Sequence, residues 1–437
     1  MTAFIDYKYN SIYVATSGGW SAISPKIQQQ HPPPGAMLQY PAKADMADTG
    51  ATPKDLWWSA VTTGFGTVVE MLSYKLDGKK YLTPFEIARL ASWGSIRAEL
   101  ILNFLTASKM SSKFTHLRVE DFYPIIDQSE KVTVSYLLGC AMAGISGPAA
   151  LSSRGRASVG RLFHASLLRD HIDPCLSITI NSISDKRPDF LGFDKNSGIH
   201  VFESKASLDG TNYGRISEGL LQLASVSNIS LGCGLRLAPS SLNVCFAFAS
   251  PTAVNQWPIA APPVSISPGV RNVVVEYDLP TLPARRPKRI PSHAHHLLAG
   301  KYAFGIWLLL KNSEEIHSKW DDTGWRIYHL SGSSYVDRIA LPRQLIDTWS
   351  NIFDSVINAW NQSVLGDKPL PSPLGWNGFT QAFMNAGEVL LTADERYRDD
   401  RPAAERSGDE PIFPGFKPTQ SDRWLLLSMR AQDLNQG

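Results

Sequence analysis

Arg187-Pro188-Asp189-Phe190-Leu191-Gly192-Phe193-Asp194 and Val201-Phe202-Glu203-Ser204-Lys205-Ala206-Ser207 decide how this chain is read. Between them stand Lys195-Asn196-Ser197-Gly198, residues that tolerate positive φ or bond their own backbone and so favour a turn. Both flanks are apolar, and the pattern predicts a β-hairpin. Side chains in a strand alternate faces, so Glu203 and Lys205 share one face and Ser204 points to the other. Antiparallel pairing would bring Asp189 beside Glu203. Two carboxylates that close repel unless a cation lies between them or one takes up a proton. Ligation by oxygen alone suits Mg2+, which keeps several waters and takes one or two protein carboxylates. Two acids and an ammonium in one place are the minimum equipment of a magnesium-dependent phosphodiesterase.

Pro188-Asp189, thirteen residues, then Glu203-Ser204-Lys205 resembles the PD-(D/E)XK signature of the restriction-endonuclease-like nucleases. Without its neighbours, Asp189 reads equally well as a turn residue, and Glu203 with Lys205 as a surface ion pair. Context lifts the motif above this. The pattern predicts a helix over 153–169, a strand over 176–183, the two motif strands, a helix over 215–226 and a buried strand over 242–249. That order, αβββαβ, is the core order of the family, and the resemblance covers residues 150–250. The expected fold class is α/β: a restriction-endonuclease-like core with a helical N-terminal region and an α+β C-terminal extension.

The resemblance implies roles residue by residue. Asp189 and Glu203 correspond to the metal-binding acids, and the carbonyl of Ser204 to a third ligand. Lys205 corresponds to the lysine that orients or deprotonates the attacking water, or neutralises charge on the phosphate. The implied cofactor is Mg2+, with Mn2+ as a substitute. The implied substrate is nucleic acid, DNA first, in defence against foreign DNA or in repair, and a homodimer is expected by analogy. One departure stands out. Many members carry a glutamate on the helix before the first core strand, and residues 154–169 contain none. His164 and Asp170 are the nearest polar candidates. Glu218 and Gln222, four apart, stack on one face of the next helix. Gln222 resembles the family's positioning glutamine, but Val226 stands where a tyrosine is usual. A nuclease fold that binds nucleic acid or assembles with partners without cleaving is therefore the alternative, and an effector delivered into another cell a third.

The chain has 437 residues, enough for two or three domains, since single cores stop growing near about 250–300 residues. The expected division is 1–52 irregular, 53–148 helical, 149–250 nuclease core, 251–300 proline-rich basic linker, and 301–437 C-terminal extension. The net charge of +2 hides a split: 16 Lys+Arg against 10 Asp+Glu over 151–301, and 13 against 18 over 302–437. The motif lies in the basic part, and phosphate neutralisation supplies most non-specific affinity for nucleic acid. Arg154, Arg156 and Arg161 on the expected first core helix are candidate phosphate contacts. Arg285, Arg286, Lys288 and Arg289, set among prolines in an extended loop, are the others. The acidic C-terminal part is a candidate partner surface. His293, His295 and His296 have no cysteine or clustered acid to join them in a zinc site.

Cys140, Cys175, Cys233 and Cys245 form no C-x-x-C pair, which argues for a reducing compartment. There is neither a signal pattern nor an apolar run long enough to span a bilayer. The expected location is the cytoplasm, away from membranes. Elsewhere the pattern predicts helices over 57–74, 83–104, 127–144 and 345–364, and a linker over 146–155. It predicts β-structure over 270–279, 302–310 and 325–330, and a surface excursion over 393–422.

Overall fold

The computed structural model describes residues 3–4, 6–9, 53–64, 84–109, 115–120, 122–153, 158–166, 168, 177–182, 187–194, 196, 198–208, 213–250, 269–277, 292–316, 324–330, 333–365, 375–399, 416–418, 422 and 424–429. The helices are α1 (Pro53–Thr62), α2 (Pro84–Asn103), α3 (Gln128–Ser153), α4 (Tyr213–Ala224), α5 (Ser292–Lys311), α6 (Arg343–Leu365) and α7 (Gly375–Asp399). The strands are β1 (Ala3–Phe4), β2 (Asp6–Tyr9), β3 (Leu105–Lys109), β4 (Thr115–Val119), β5 (Ser158–His164), β6 (Ile178–Ser182), β7 (Phe190–Asp194) and β8 (Ile199–Ser207), followed by β9 (Val226–Leu231), β10 (Arg236–Leu237), β11 (Ser241–Ser250) and β12 (Gly269–Tyr277). The C-terminal strands are β13 (Glu314–Ile316), β14 (Trp325–His329), β15 (Val336–Pro342), β16 (Phe416–Pro418) and β17 (Leu426–Met429). The protein is thus a mixed α/β structure with several sheets.

The predicted hairpin is β7 and β8, paired antiparallel with Phe190 opposite Phe202 and Leu191 opposite Val201. It lies in a six-stranded sheet of order β2-β12-β11-β8-β7-β5. β11 runs parallel to β8, with Val244 beside Glu203 and Phe246 beside Lys205. β7 and the first part of β8 are buried throughout, because helices cover both faces, and such strands read as continuous apolar runs. α3 lies on one face and α4 on the other. Both approach through glycines. A Cβ on Gly147 would sit 2.8 Å from the Phe202 ring, one on Gly139 2.9 Å from Ser204 Oγ, and one on Gly219 2.9 Å from Val244 Cγ1.

Several expectations are corrected here. The expected helix over 153–169 is instead the end of α3 and then the edge strand β5, which pairs with β7. Gly155, Gly160, Val159 and Phe163 are poor helix formers, and Leu162 and Phe163 are both buried in the sheet. The expected linker at 146–155 is mostly helical: Gly147 and Pro148 lie inside α3, where the glycine permits close packing. The strand expected over 176–183 exists as β6, but it pairs with β9 in a separate sheet of order β10-β9-β6. Its place in the main sheet is taken by β5. Residues 302–310, expected as β, lie in α5, since a short apolar run does not distinguish a strand from a buried helix. α5 and α7 cross so closely that Cβ atoms on Gly300 and Gly387 would meet the Phe383 and His296 carbonyls. Residues 393–399 belong to α7; the rest of that expected excursion lies outside the described residues, except for Phe416–Pro418 in β16 and Asp422.

Among the described residues one helix, over Gln128–Leu151, is long and apolar enough to cross a membrane, yet its apolar 18-residue window is 72% buried inside the protein, as in a core helix. A polar clamp joins distant parts of the chain. The buried Asp422 carboxylate accepts from Trp58 Nε1 at 2.7 Å and from the Tyr302 hydroxyl at 2.8 Å. Asp422→Ala leaves two buried donors without their acceptor, each worth about 1–3 kcal/mol. It should lower the denaturant midpoint with little change in slope, as measured by urea titration of tryptophan fluorescence.

Candidate functional site

The site lies at the open end of the hairpin, and its geometry begins at the closed end. Asp194 accepts the backbone N–H groups of Asn196 and Gly198, both at 2.8 Å, which closes the turn. His200 links Asp194 Oδ2 (3.0 Å) to Ser241 Oγ (2.8 Å), and Asn243 Nδ2 donates to the same Ser241 oxygen at 2.8 Å. His200, Ser241 and Asn243 are fully buried, so this Asp-His-Ser line locks strands rather than presenting a nucleophile. Burial pushes the Asp194 carboxyl up, but the turn N–H groups and His200 more than offset it, and it ends below the usual carboxylate range.

At the open end Asp189 stands one residue beyond the last pair, Phe190 with Phe202. Continuing the register sets it opposite Glu203. Its Oδ2 accepts the Ser204 N–H at 2.8 Å. Lys205 Nζ donates to Glu203 Oε1. Gln222 from α4 completes the group: its Nε2 donates to Glu203 Oε2 at 2.8 Å and to the Arg187 carbonyl at 2.6 Å, and its Oε1 lies 3.5 Å from Lys205 Nζ. Asp189, Glu203, Ser204, Lys205 and Gln222 are therefore brought together. Glu218 is not: it is exposed and faces Arg215 at 3.7 Å.

The Glu203 side chain is 1% exposed and that of Lys205 20%. Burial first, and then the Asp189 carboxylate, push Glu203 up to about 8, against the opposing pull of Lys205. Burial also raises Asp189, although the Ser204 N–H and Lys205 pull it back. Two buried carboxylates face one ammonium, a deficit of positive charge. Backbone oxygen is also on offer. N–H and C=O of one strand residue point the same way, so the Ser204 carbonyl points to the β7 side with its N–H. The residue opposite it in register is Pro188, which has no N–H to give. Among the described residues no cluster of three or more His, Cys, Asp or Glu side chains forms a metal site. An ion here would have two carboxylates, the Ser204 carbonyl and water, a set that fits Mg2+.

Sequence reasoning placed the preceding helix too late and so missed what faces the site from α3. Tyr136 and Cys140, one turn apart, stand near Asp189. Burial and then the Asp189 carboxylate push the Cys140 thiol up to about 12; the neighbouring Cys140, burial and Asp189 push Tyr136 up. Neither group carries charge at neutral pH, and no acid from this helix has been brought in. Arg97 of α2 donates to the Thr63 carbonyl at 3.0 Å. His164 is a packed histidine. Its ring lies 4.7 Å from that of Phe190, a Cβ on Gly64 would strike it, and burial together with Arg97 lowers it to about 4.

The candidate phosphate contacts Arg154, Arg156, Arg285, Arg286, Lys288 and Arg289 lie outside the described residues, as does Asp170. Arg161 lies in β5, with its side chain outside the described set. His293, His295 and His296 lie in the first turns of α5. No protein-family model, curated protein or solved structure matches this chain.

The raised Glu203 carboxyl has a thermodynamic consequence. Folded protein without a divalent ion holds a proton there that the unfolded chain has released above its ordinary value of 4.5. That stability is fully present below pH 4.5 and is lost as the pH rises toward about 8. Thermal melts in EDTA should show this loss, Mg2+ should raise the melting temperature more at pH 8 than at pH 6, and Glu203→Gln should abolish both effects.

Proposed function

We propose that this protein is a metal-dependent phosphodiesterase that hydrolyses nucleic acid, with DNA as the substrate. The observation that carries the reading is the convergence of Asp189, Glu203, Lys205 and Gln222 at one partly buried point. Strand order supports it too. α3 precedes an antiparallel β5-β7-β8 run, α4 follows, and β11 returns parallel to β8. Leaving aside β6, β9 and β10, this order is similar to the αβββαβ succession that the resemblance implies, with β5 in the place first given to β6.

Asp189 and Glu203 would hold the ion together with the Ser204 carbonyl. A bound divalent ion polarises a phosphoryl oxygen and lowers the pKa of water. The chain's own groups do the rest. Lys205, whose side chain is 20% exposed, offers an ammonium to the water or to the negative charge that develops on phosphate. Gln222 adds no charge; it holds Glu203 through Oε2 and faces Lys205 with its carbonyl, so the two keep their relative orientation. A second reading, binding without cleavage, draws support from α3, which faces the site with Tyr136 and Cys140 and no acid.

Plasmid and single-stranded DNA incubated with Mg2+ or Mn2+ separate the two. Under the hydrolytic reading wild type cleaves, and Lys205→Ala loses about 10^2–10^4-fold in rate while retaining binding by filter retention. Gln222→Ala should lose less, since it only orients the others. Binding by wild type with no cleavage in either metal would leave the non-catalytic reading.

A further inference from the structure

Two excursions of the chain flank the motif. One carries β6, between β5 and β7; the other carries β9 and β10, between α4 and β11. They pair with each other rather than joining the main sheet. In register, Thr179 lies opposite Ser230, Asn181 opposite Asn228, and Arg236 opposite Ser230 on the other side. Paired residues share a face of a sheet. Ile178, Ile180, Ile229, Leu231 and Leu237 fill one face and are buried. The other face displays Thr179, Asn181, Asn228, Ser230 and Arg236.

That outward face is an ordered array of amides and hydroxyls. Asn181 Nδ2 donates to Asn228 Oδ1 and to Ser230 Oγ, both at 2.6 Å. Ser227 Oγ donates to the Asn181 carbonyl at 3.1 Å. The end of the small sheet reaches the site: Ser182, the last residue of β6, and Ser225, just before β9, have their Oγ atoms 2.5 Å apart, Ser225 Oγ donates to the Gln222 carbonyl at 2.6 Å, and Gln222 holds Glu203. From Gly219 to Val275 the chain contains no aspartate or glutamate, and β6 has none. Arg236 is exposed.

Phosphate oxygens accept from Arg, Ser, Thr and Asn side chains, and such contacts set the position and orientation of a nucleic acid without reading its sequence. A carboxylate on the face would repel them. From Val226 to Ser230 β9 covers about 14 Å at about 3.4 Å per residue, the rise of about four base-pair steps. We propose that this face is the track along which the sugar–phosphate backbone of the substrate lies as it enters the carboxylate pair. The proposal rests on the nuclease reading and adds to it the surface that positions the strand.

The test measures binding of full-length protein to a fluorescein-labelled DNA duplex of random sequence, without divalent ion, at several salt concentrations, by anisotropy. Thr179→Glu combined with Arg236→Glu should weaken binding about tenfold, and Arg236→Ala alone should reduce the slope of log affinity against log salt by about 1. In Mg2+ the double variant should raise KM and leave kcat unchanged. Arg236 is exposed, so its single variant keeps the test open even if the double variant melts early. Wild type that binds and cleaves, with variants of unchanged affinity and slope, would overturn the track and leave the nuclease reading standing. Wild type that neither binds nor cleaves would remove both.

Discussion

The site depends on the register of the β7–β8 hairpin. A slip of one residue would turn Glu203 and Lys205 toward α3 and Ser204 toward α4. The chain holds the register at both ends with carboxylates. Asp194 binds the turn N–H groups, and Asp189 takes the Ser204 N–H that a continuing ladder would have given to a backbone carbonyl. Such polar locks specify because a misregistered alternative leaves buried groups without partners, which costs more than the bond contributes when made. His200, Ser241 and Asn243 extend the lock into β11, so Val244 falls beside Glu203 in the same register.

A hairpin held this way forces two carboxylates into a buried place, which opposes folding. At about 4 Å and an effective dielectric of about 20, two like charges repel by about 4 kcal/mol. Lys205 offsets one of them. Gln222 is the residue type that completes the group without altering the balance. A glutamate there would add a third negative charge, and a lysine would neutralise the site and remove its need for a cation. The amide donates to Glu203 and faces Lys205 with its carbonyl, so both are oriented while the charge deficit remains.

The parts of this arrangement that were legible in the sequence are those set by local rules. Strand alternation separates Glu203 and Lys205 from Ser204, turn chemistry closes the hairpin, and helical spacing offers Gln222. The shared helix face does not separate Gln222 from Glu218, and only the resemblance singles out Gln222; burial sets them apart in the fold, with Gln222 lying over Glu203 and Glu218 facing Arg215 in solvent. What was not legible is set by partners distant in sequence. The alternation of β6 marks it as a strand and says nothing of whether it pairs with β7 or with β9. β5 sets Arg161 within an apolar segment that passes for a helix until the edge of β7 supplies a ladder. α3 was seen, but with its end cut short at a Gly-Pro that in fact packs on Phe202, and so its Tyr136 and Cys140 were never set against the motif.

The two faces of the sheet give the site two unlike walls. On the α3 side, glycines bring the helix against Phe202 and Ser204, and the Cys140 thiol beside Asp189 is held neutral by burial. This wall is close-packed. On the α4 side, Arg187 is exposed, Lys205 reaches solvent, and Gln222 is half-buried over Glu203. A low-dielectric wall on one side strengthens whatever charge interaction takes place on the other. The wet wall is also the one continuous with the small sheet, through Ser225 and Ser182. Access for an anion thus falls on the α4 face, which carries Glu203 and Lys205, while α3 closes the opposite face of the same strand at Phe202 and Ser204, a division that the alternation of side chains along β8 makes possible.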